Sequence, residues 1–359
     1  MTCQNKPKHV KLTEMLSTCE YIMLLSQAAP ECLIQSNGKP YFGHFDGVPK
    51  QLGITHFDYR NNMDRKVGKM KKYFHYKQFQ FASISTSSYV IGIAIADIRY
   101  VGSAFCYVYD METDTLIEKS WLRPLCIDKQ MAASPYRGKT TIAAKRLIFN
   151  IEHPRWRMKA DTDFLHLDVS LEPLRHSLPL SLCTPTGYNG WTYTQKHNAL
   201  TVTGNIEIGG DTIDLSGALG GYDFSAGFMR RETSWRWASI NGKTKDGTLG
   251  LNLAAGVNET GSHENALWLN GSRHLLGAVH FRFDRQSSQR NWHIFSDDSR
   301  VDLTFTPINR RSEKLNLWLL QSNFRQFIGR FSGFIEDGNG IRHTLDQQLG
   351  LTEDHFARW

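Results

Sequence analysis

The chain has 359 residues, of which 40% are hydrophobic and 21% charged, with a formal net charge of +7. That mix excludes a disordered chain, and the length suggests two domains or one large β architecture. The basic residues are scattered, with Lys66, Lys69, Lys71 and Lys72 the only dense group. This argues against a nucleic-acid partner while admitting a peripheral contact with an anionic membrane surface.

In chain order, Thr13 to Ser26 reads as a short helix that Pro30 ends. The first ten residues are polar and basic, with no apolar core and cleavage site after them, so no signal peptide is expected and the chain reads as cytoplasmic. The six cysteines, Cys3, Cys19, Cys32, Cys106, Cys126 and Cys183, have no ligand-like spacing and read as free thiols. From about Pro40 the pattern becomes β. Phe79 and Phe81 alternate with polar residues in the run Tyr73 to Phe81. Strands are predicted at Tyr89 to Ala96, Gly102 to Tyr109, Leu116 to Leu122, Thr140 to Glu152 and Phe164 to Leu171, with another starting at His153 to Arg157. The apolar run Tyr89 to Tyr109 carries Asp97, Arg99 and many β-branched residues, which favours two strands over a membrane span.

Pro173, Pro179, Pro185, Gly187 and Gly190 mark the best domain boundary, near Thr184 to Gly190. It divides an N-terminal unit, 1 to 188, from a C-terminal unit, 189 to 359. Strands resume at Ala199 to Ile208, Leu249 to Leu253, Ala266 to Trp268, Ala278 to Phe283, Trp292 to Phe295, Val301 to Phe305, Leu315 to Leu320, Phe327 to Ile335 and Ile341 to Leu345. Asp337-Gly338-Asn339-Gly340 is a hairpin turn. No long helix interrupts this march of short strands, so an all-β protein of sandwiches or barrels is expected. A barrel of about eight strands has room for one small ligand.

Several motifs are set aside. Gly138-Lys139-Thr140 lacks the glycine-rich loop that a phosphate site needs. Asn258-Glu259-Thr260 and Asn270-Gly271-Ser272 match glycosylation acceptors but need a secretory route. His153, His166 and His176 share no metal-ligand spacing, and no G-x-S-x-G elbow occurs. No metal and no cofactor are expected.

The richest segment is Gly220 to Ser239, which packs Asp223, Arg230, Arg231, Glu232, Trp235 and Trp237 among glycines and aromatics. Apolar bulk beside charge suits a buried site. An Asp in an aromatic pocket holds its proton and can act as an acid, whereas a neighbouring arginine favours its carboxylate. Asp223 is therefore either an acid catalyst or half of an Asp–Arg pair, with Arg230 and Arg231 as the obvious cations. Trp235 and Trp237, two apart, face one side of a strand, as a pocket wall or as plain core. Asn252, Asn258 and Glu264 lie among small apolar residues, with Trp268 close behind. They orient polar groups or merely cap turns. The end, Gly350 to Trp359, is too aromatic to fray and is expected to bring Glu353 to the same cavity.

The segments GFMRRETSWRWAS, GLNLAAGVNETGSHENALWLNG, VDLTFTP and GLTEDHFARW resemble the bacterial family known as domain of unknown function 2804. The likeness covers most of the chain and is most specific over residues 184 to 359. More distantly, the chain is similar to lipocalin-like two-barrel proteins, namely carotenoid hydratases, tocopherol cyclases and Diels–Alderases. Those carry an aromatic-Asp-His segment before a Trp-x-Trp strand, and Tyr222-Asp223 and Trp235-Arg236-Trp237 hold that spacing. Phe224 stands where their histidine would be, so their acid chemistry does not simply transfer. The resemblance implies two lipocalin-like (calycin) barrels with a pocket between or within them.

The resulting expectation is a protein that binds, and in an enzyme version converts, a hydrophobic or amphiphilic small molecule of lipid or isoprenoid type. Conversion means hydration, cyclisation or isomerisation by acid catalysis. Asp223, Glu232 and Glu353 form the catalytic set. Tyr222, Arg230, Arg231, Trp235, Trp237, Asn252, Asn258, Glu264 and Trp268 form the ligand-binding set. The alternatives are a non-catalytic carrier of an anionic amphiphile, held by Arg230 or Arg231, and a ligand-free interaction scaffold.

Overall fold

The computed structural model describes residues 26–258, 261–317 and 320–359. Most of the predicted helix Thr13 to Ser26 lies outside them, and Ser26 itself starts a strand. The first sheet opens with β1 (Ser26–Ala28) and β2 (Gly43–Asp46), and helix α1 (Lys69–His75) follows. Next come β3 (Lys77–Ser85), β4 (Tyr89–Asp97), β5 (Val101–Asp110), β6 (Thr115–Pro124), β7 (Lys129–Gln130) and β8 (Arg137–Ile142). Then come β9 (Leu147–Glu152), β10 (Arg155–Asp161), β11 (Leu165–Glu172), β12 (Leu180–Thr186), β13 (Gly190–Ile208), β14 (Asp211–Thr212) and β15 (Leu219–Gly227). The second sheet holds β16 (Glu232–Thr244), β17 (Gly247–Ala255), β18 (Ala266–Leu269), β19 (Ser272–Leu275) and β20 (Val279–Arg282). It ends with β21 (Trp292–Ser296), β22 (Val301–Leu317), β23 (Leu320–Glu336) and β24 (Arg342–Arg358).

The protein is all-β, built as two near-barrel sheets in tandem. The 15-stranded sheet has the main path β6-β5-β4-β3-β15-β13-β11-β10-β9-β8-β7, with β1, β2, β12 and β14 off it, and the 9-stranded sheet runs β19-β18-β17-β16-β24-β23-β22-β21-β20. Both are antiparallel along these paths. Period-two alternation explains why each curls around its own core. Tyr222, Phe224, Phe149, Trp156 and Ile93 fill the first interior. Ala238, Ile240, Leu251, Phe305 and Phe331 fill the second. The large side chains inside each near-barrel pack against one another, with Trp156 stacked on Tyr222 at 4.3 Å and Phe305 lying 4.7 Å from Phe331.

The two near-barrels meet through their outer faces. Phe81, Val90, Ala94, Tyr107 and Tyr109 from the first pack with Trp237, Ala254, Ile328 and Leu351 from the second. This accounts for β4 and β5: their alternate residues serve two cores, so the run reads as apolar almost throughout.

Several expectations are corrected. Thr140 to Glu152 is not one strand but β8 and β9, because Ala143, Ala144 and Lys145 turn the chain with φ of 58°, 54° and 64°. Tyr73 to His75 belongs to α1. The stretch Leu315 to Leu320 joins the end of β22 to the start of β23, with 318 and 319 outside the described residues. The Pro/Gly-rich stretch near 184 to 190 is a hairpin between β12 and β13 inside the first sheet. The chain passes from one sheet to the other at Phe228 to Arg231. No helix among the described residues is long and apolar enough to cross a membrane.

Candidate functional site

One wall of the site comes from the first near-barrel. The register of β13 and β15 sets Lys196 opposite Asp223. The Lys196 ammonium donates to Asp223 Oδ2 at 2.6 Å and lies 3.3 Å from Glu264 Oε2, on the loop before β18. Ser225, two residues along β15, donates from Oγ to Asp223 Oδ1 at 3.0 Å. Asn258 Nδ2 donates to Glu264 Oε1 at 3.2 Å. All three charges are buried. Burial works against the Lys196 charge, but Asp223 and Glu264 outweigh it and raise the amine to about 12. Burial pushes the Glu264 carboxyl up, against the pull of Lys196. A buried triad of this kind is stable only because every charge has a partner.

The other wall is the face of β16, β24 and β23 that looks outward from the second near-barrel. Register aligns Trp237 with Glu353 and Gln326 across the three strands, and Trp235 with His355 and Phe324. Trp235 Nε1 donates to Glu353 Oε1 at 2.7 Å, and Gln326 Nε2 donates to Oε2 at 3.3 Å. Trp237 Nε1 is anchored on Asn252 Oδ1 at 2.7 Å. The His355 ring packs on Trp235 with centroids 4.2 Å apart, and its Nε2 meets Ser322 Oγ at 2.8 Å. His355 Nδ1 lies 3.9 Å from Glu353 Oε1 and has no hydrogen-bond partner among the described residues.

This environment separates the titrations. Burial pushes the Glu353 carboxyl up to about 7, although the bonds from Trp235 and Gln326 and the charge of Lys196 pull the other way. Burial pushes the His355 imidazole down to about 3, so it is neutral at ordinary pH. The carboxyl that titrates near neutrality is thus the group able to give or take a proton here, and the imidazole stays neutral beside it.

Between the walls lies a cavity of about 230 Å³. Phe79, Phe81, Phe105, Phe324, Trp235 and Trp237 supply much of its lining, and Glu353, His355, Asp223 and Lys196 face it. Arg311, buried at 3% exposure, stacks over Phe105 at 3.8 Å and Phe324 at 5.2 Å and pairs with Glu313 at 2.8 Å. Its volume is just below the roughly 300 Å³ at which sites for drug-sized ligands begin, so a compact apolar body fits. Among the described residues no three His, Cys, Asp or Glu side chains group to hold a metal ion.

Of the residues singled out from sequence, Asp223, Glu353, Trp235, Trp237 and Glu264 line this cavity. Asn252 and Asn258 stand behind the lining and hold Trp237 and Glu264. Tyr222 points into the first near-barrel, stacked on Trp156. Trp268 is buried beside Leu180 and donates to Leu178 O at 2.8 Å. Glu232 is exposed and lies 3.5 Å from Arg358. Arg230 and Arg231 line a neighbouring cavity. Of the two sequence readings of Asp223, acid catalyst or half of an Asp–Arg pair, the pair is corrected: the cation on Asp223 is Lys196. The reason is register, since β15 ends at Gly227 and the arginines leave on the connection between sheets.

Lys196, His355, Gln326 and Arg311 were not among the sequence candidates. A signal existed for Lys196, because Thr192, Thr194 and Lys196 alternate with Trp191, Tyr193 and Gln195. That alternation is a strand, although it adjoins the turn-rich stretch that reads as a boundary.

Fold and site together define an all-β protein of two tandem near-barrels with an aromatic, acid-bearing cavity between them. The chain belongs to the family described as domain of unknown function (DUF2804), which matches residues 33–359. Among solved structures, an AttH-like protein from Nitrosomonas europaea is similar at 14% identity and a TM-score of 0.47, over 83% of this chain and 98% of that one. Kievitone hydratase from Nectria haematococca is similar at 11% identity and a TM-score of 0.46, over 79% of this chain and 88% of that one. Among curated proteins no match is found.

Proposed function

We propose that the protein binds a hydrophobic or amphiphilic small molecule in the cavity between its near-barrels and transfers a proton to it from Glu353. The observation that carries this reading is a carboxyl held at about 7 in an aromatic cavity, bonded by neutral donors rather than by a cation. At neutral pH a large fraction of such a group keeps its proton, as a general acid must.

The chemistry follows from the walls. The Glu353 O–H gives its proton to one carbon of a ligand double bond, leaving the Glu353 carboxylate and a carbocation. The indole faces of Trp235 and Trp237 stabilise that cation. Return of a neighbouring C–H proton to Glu353 completes an isomerisation, or a cyclisation if a second double bond has first attacked the cation. Addition of water, with its released proton returning to Glu353, completes a hydration. Asp223 is left out of the acid role because Lys196 and Ser225 already engage its carboxylate.

That same engagement supports a second reading, a carrier that converts nothing. Mass spectrometry of small molecules extracted from native protein and from Glu353→Gln separates the two. The acid reading expects a different compound, the unconverted one, to accumulate in Glu353→Gln. The same compound in both proteins would leave the carrier, and an empty cavity in both would remove both readings.

A further inference from the structure

A second cavity, of about 860 Å³, adjoins the first and shares Lys77, Thr186, Met229, Leu320 and Trp359 with it. It forms a vestibule to the aromatic chamber. Arg60, Lys71, Lys77, Arg230 and Arg231 line it, and among the described residues no Asp or Glu does. Arg60 is paired with Asp58 at 2.9 Å, and Arg230 donates to Gly256 O at 3.2 Å. A concave lining with an excess of one sign of charge concentrates its field on whatever enters.

Lys77 sits where the two cavities join and is only 5% exposed. Its Nζ donates to the carbonyls of Phe74 at 2.6 Å and Ile98 at 2.8 Å, and lies 5.1 Å from the centre of the Tyr100 ring. These partners are neutral, and Lys77 forms no ion pair among the described residues. A lysine ammonium has three donors, so one N–H remains beyond the two carbonyls. Lys196, by contrast, is equally buried but has two carboxylates. A buried charge normally has a counter-ion, because desolvation costs several kcal/mol per ion. Burial pushes the Lys77 amine down to about 8, with Asp97 opposing and Arg99 and Lys129 reinforcing the fall. An arriving anion would reverse that fall.

We infer that Lys77 is the counter-ion for the anionic head group of the ligand, a carboxylate or a phosphate, whose apolar body occupies the aromatic chamber. The vestibule draws the head group in, and Lys77 fixes it at the chamber mouth. This rests on the reading that the chamber holds a ligand. It adds the substrate class, a singly or doubly charged amphiphile rather than a neutral lipid or hydrocarbon.

The test is isothermal titration of the native protein, Lys77→Met, and the rim variant Lys71→Glu/Arg231→Glu with octanoate, octyl phosphate and 1-octanol. Native protein is expected to bind at least one of the anions about tenfold or more tightly than the alcohol, the scale of a charge-assisted hydrogen bond. Lys77→Met should lose that preference while still binding 1-octanol. The rim variant, whose changes are at exposed positions, should weaken the anion and spare the alcohol even if Lys77→Met fails to fold. Whichever anion is preferred names the head group. Equal binding of anions and alcohol by native protein overturns the inference and leaves the chamber reading intact. A preference that survives unchanged in Lys77→Met, or in the rim variant, also overturns it. Failure of all three probes to bind removes the chamber reading, and this inference with it.

Discussion

At the residue scale, two carboxyls in one cavity behave differently because of what touches them. Asp223 meets an ammonium and a hydroxyl, and Glu353 meets an indole N–H and an amide. Glu353 rises from 4.5 to about 7, so the folded protein holds this proton more tightly than the unfolded chain does. The stability linked to it is full below about pH 4.5 and is lost as pH climbs through about 7. At roughly 1.4 kcal/mol per unit, the loss is about 3 kcal/mol. Glu353→Gln has no such proton to lose. Urea titrations at several pH values are therefore expected to show native stability falling across this window relative to Glu353→Gln, by up to about 3 kcal/mol. Parallel curves would mean that the carboxyl is not desolvated. The identity of Lys196 as the partner of Asp223 could not be read locally, because the two are joined only by the β13–β15 register.

At the element scale, β24 shows how one strand serves two environments. Glu353, His355 and Ala357 face the cavity, while Asp354 faces the other way. There Asp354 takes both bonds of the Arg285 fork, at 2.9 and 3.0 Å, and lies 3.5 Å from both Arg236 and Arg325. Arg236 and Arg325 are its register partners on β16 and β23, so the carboxylate ties three strands of the sheet. Asp354→Ala leaves three arginines facing one another. It is expected to cost about 2 kcal/mol, the loss of a charged, hydrogen-bonded partner, as a lower urea midpoint that added sulfate partly restores. An unchanged midpoint would show that the arginines find water instead. In the sequence the Gly350 to Trp359 end reads only as too aromatic to fray, and its strand, β24, was not legible there. Nor was the face that meets the cavity, because period two defines two faces without saying which is covered.

At the scale of the whole molecule, the site depends on two near-barrels meeting closely. β13 bulges between His197 and Leu200, and the bulge reaches the second sheet. Asn198 Nδ2 donates to Ser239 Oγ at 2.7 Å, and Asn241 accepts from the Ala199 N–H at 2.9 Å and donates to Ser83 Oγ at 3.1 Å. Gly250 makes room for this contact, since a Cβ there would lie 2.7 Å from Asn198 Cβ. Gly250→Val is expected to wedge the sheets apart at a cost of about 1–3 kcal/mol, the usual range for overpacking, and to lower affinity for a chamber ligand. Thermal unfolding and a binding titration check both. Unaltered stability and affinity would mean that the interface yields without harm.

The sequence by itself determined the all-β character, most strand positions, the hairpin at Asp337 to Gly340 and the shared face of Trp235 and Trp237. Each rests on alternation or turn chemistry within a few residues. Only the tertiary structure decided that Lys196, not an arginine, neutralises Asp223, and that Arg230 and Arg231 line a neighbouring cavity instead. It also decided that the aromatic chamber lies between the near-barrels, with the buried Glu353 carboxyl in its lining. These outcomes depend on the register between strands distant in the chain and on which outer faces come together. Desolvation, the force that sets the Glu353 titration, exists only once those faces have met.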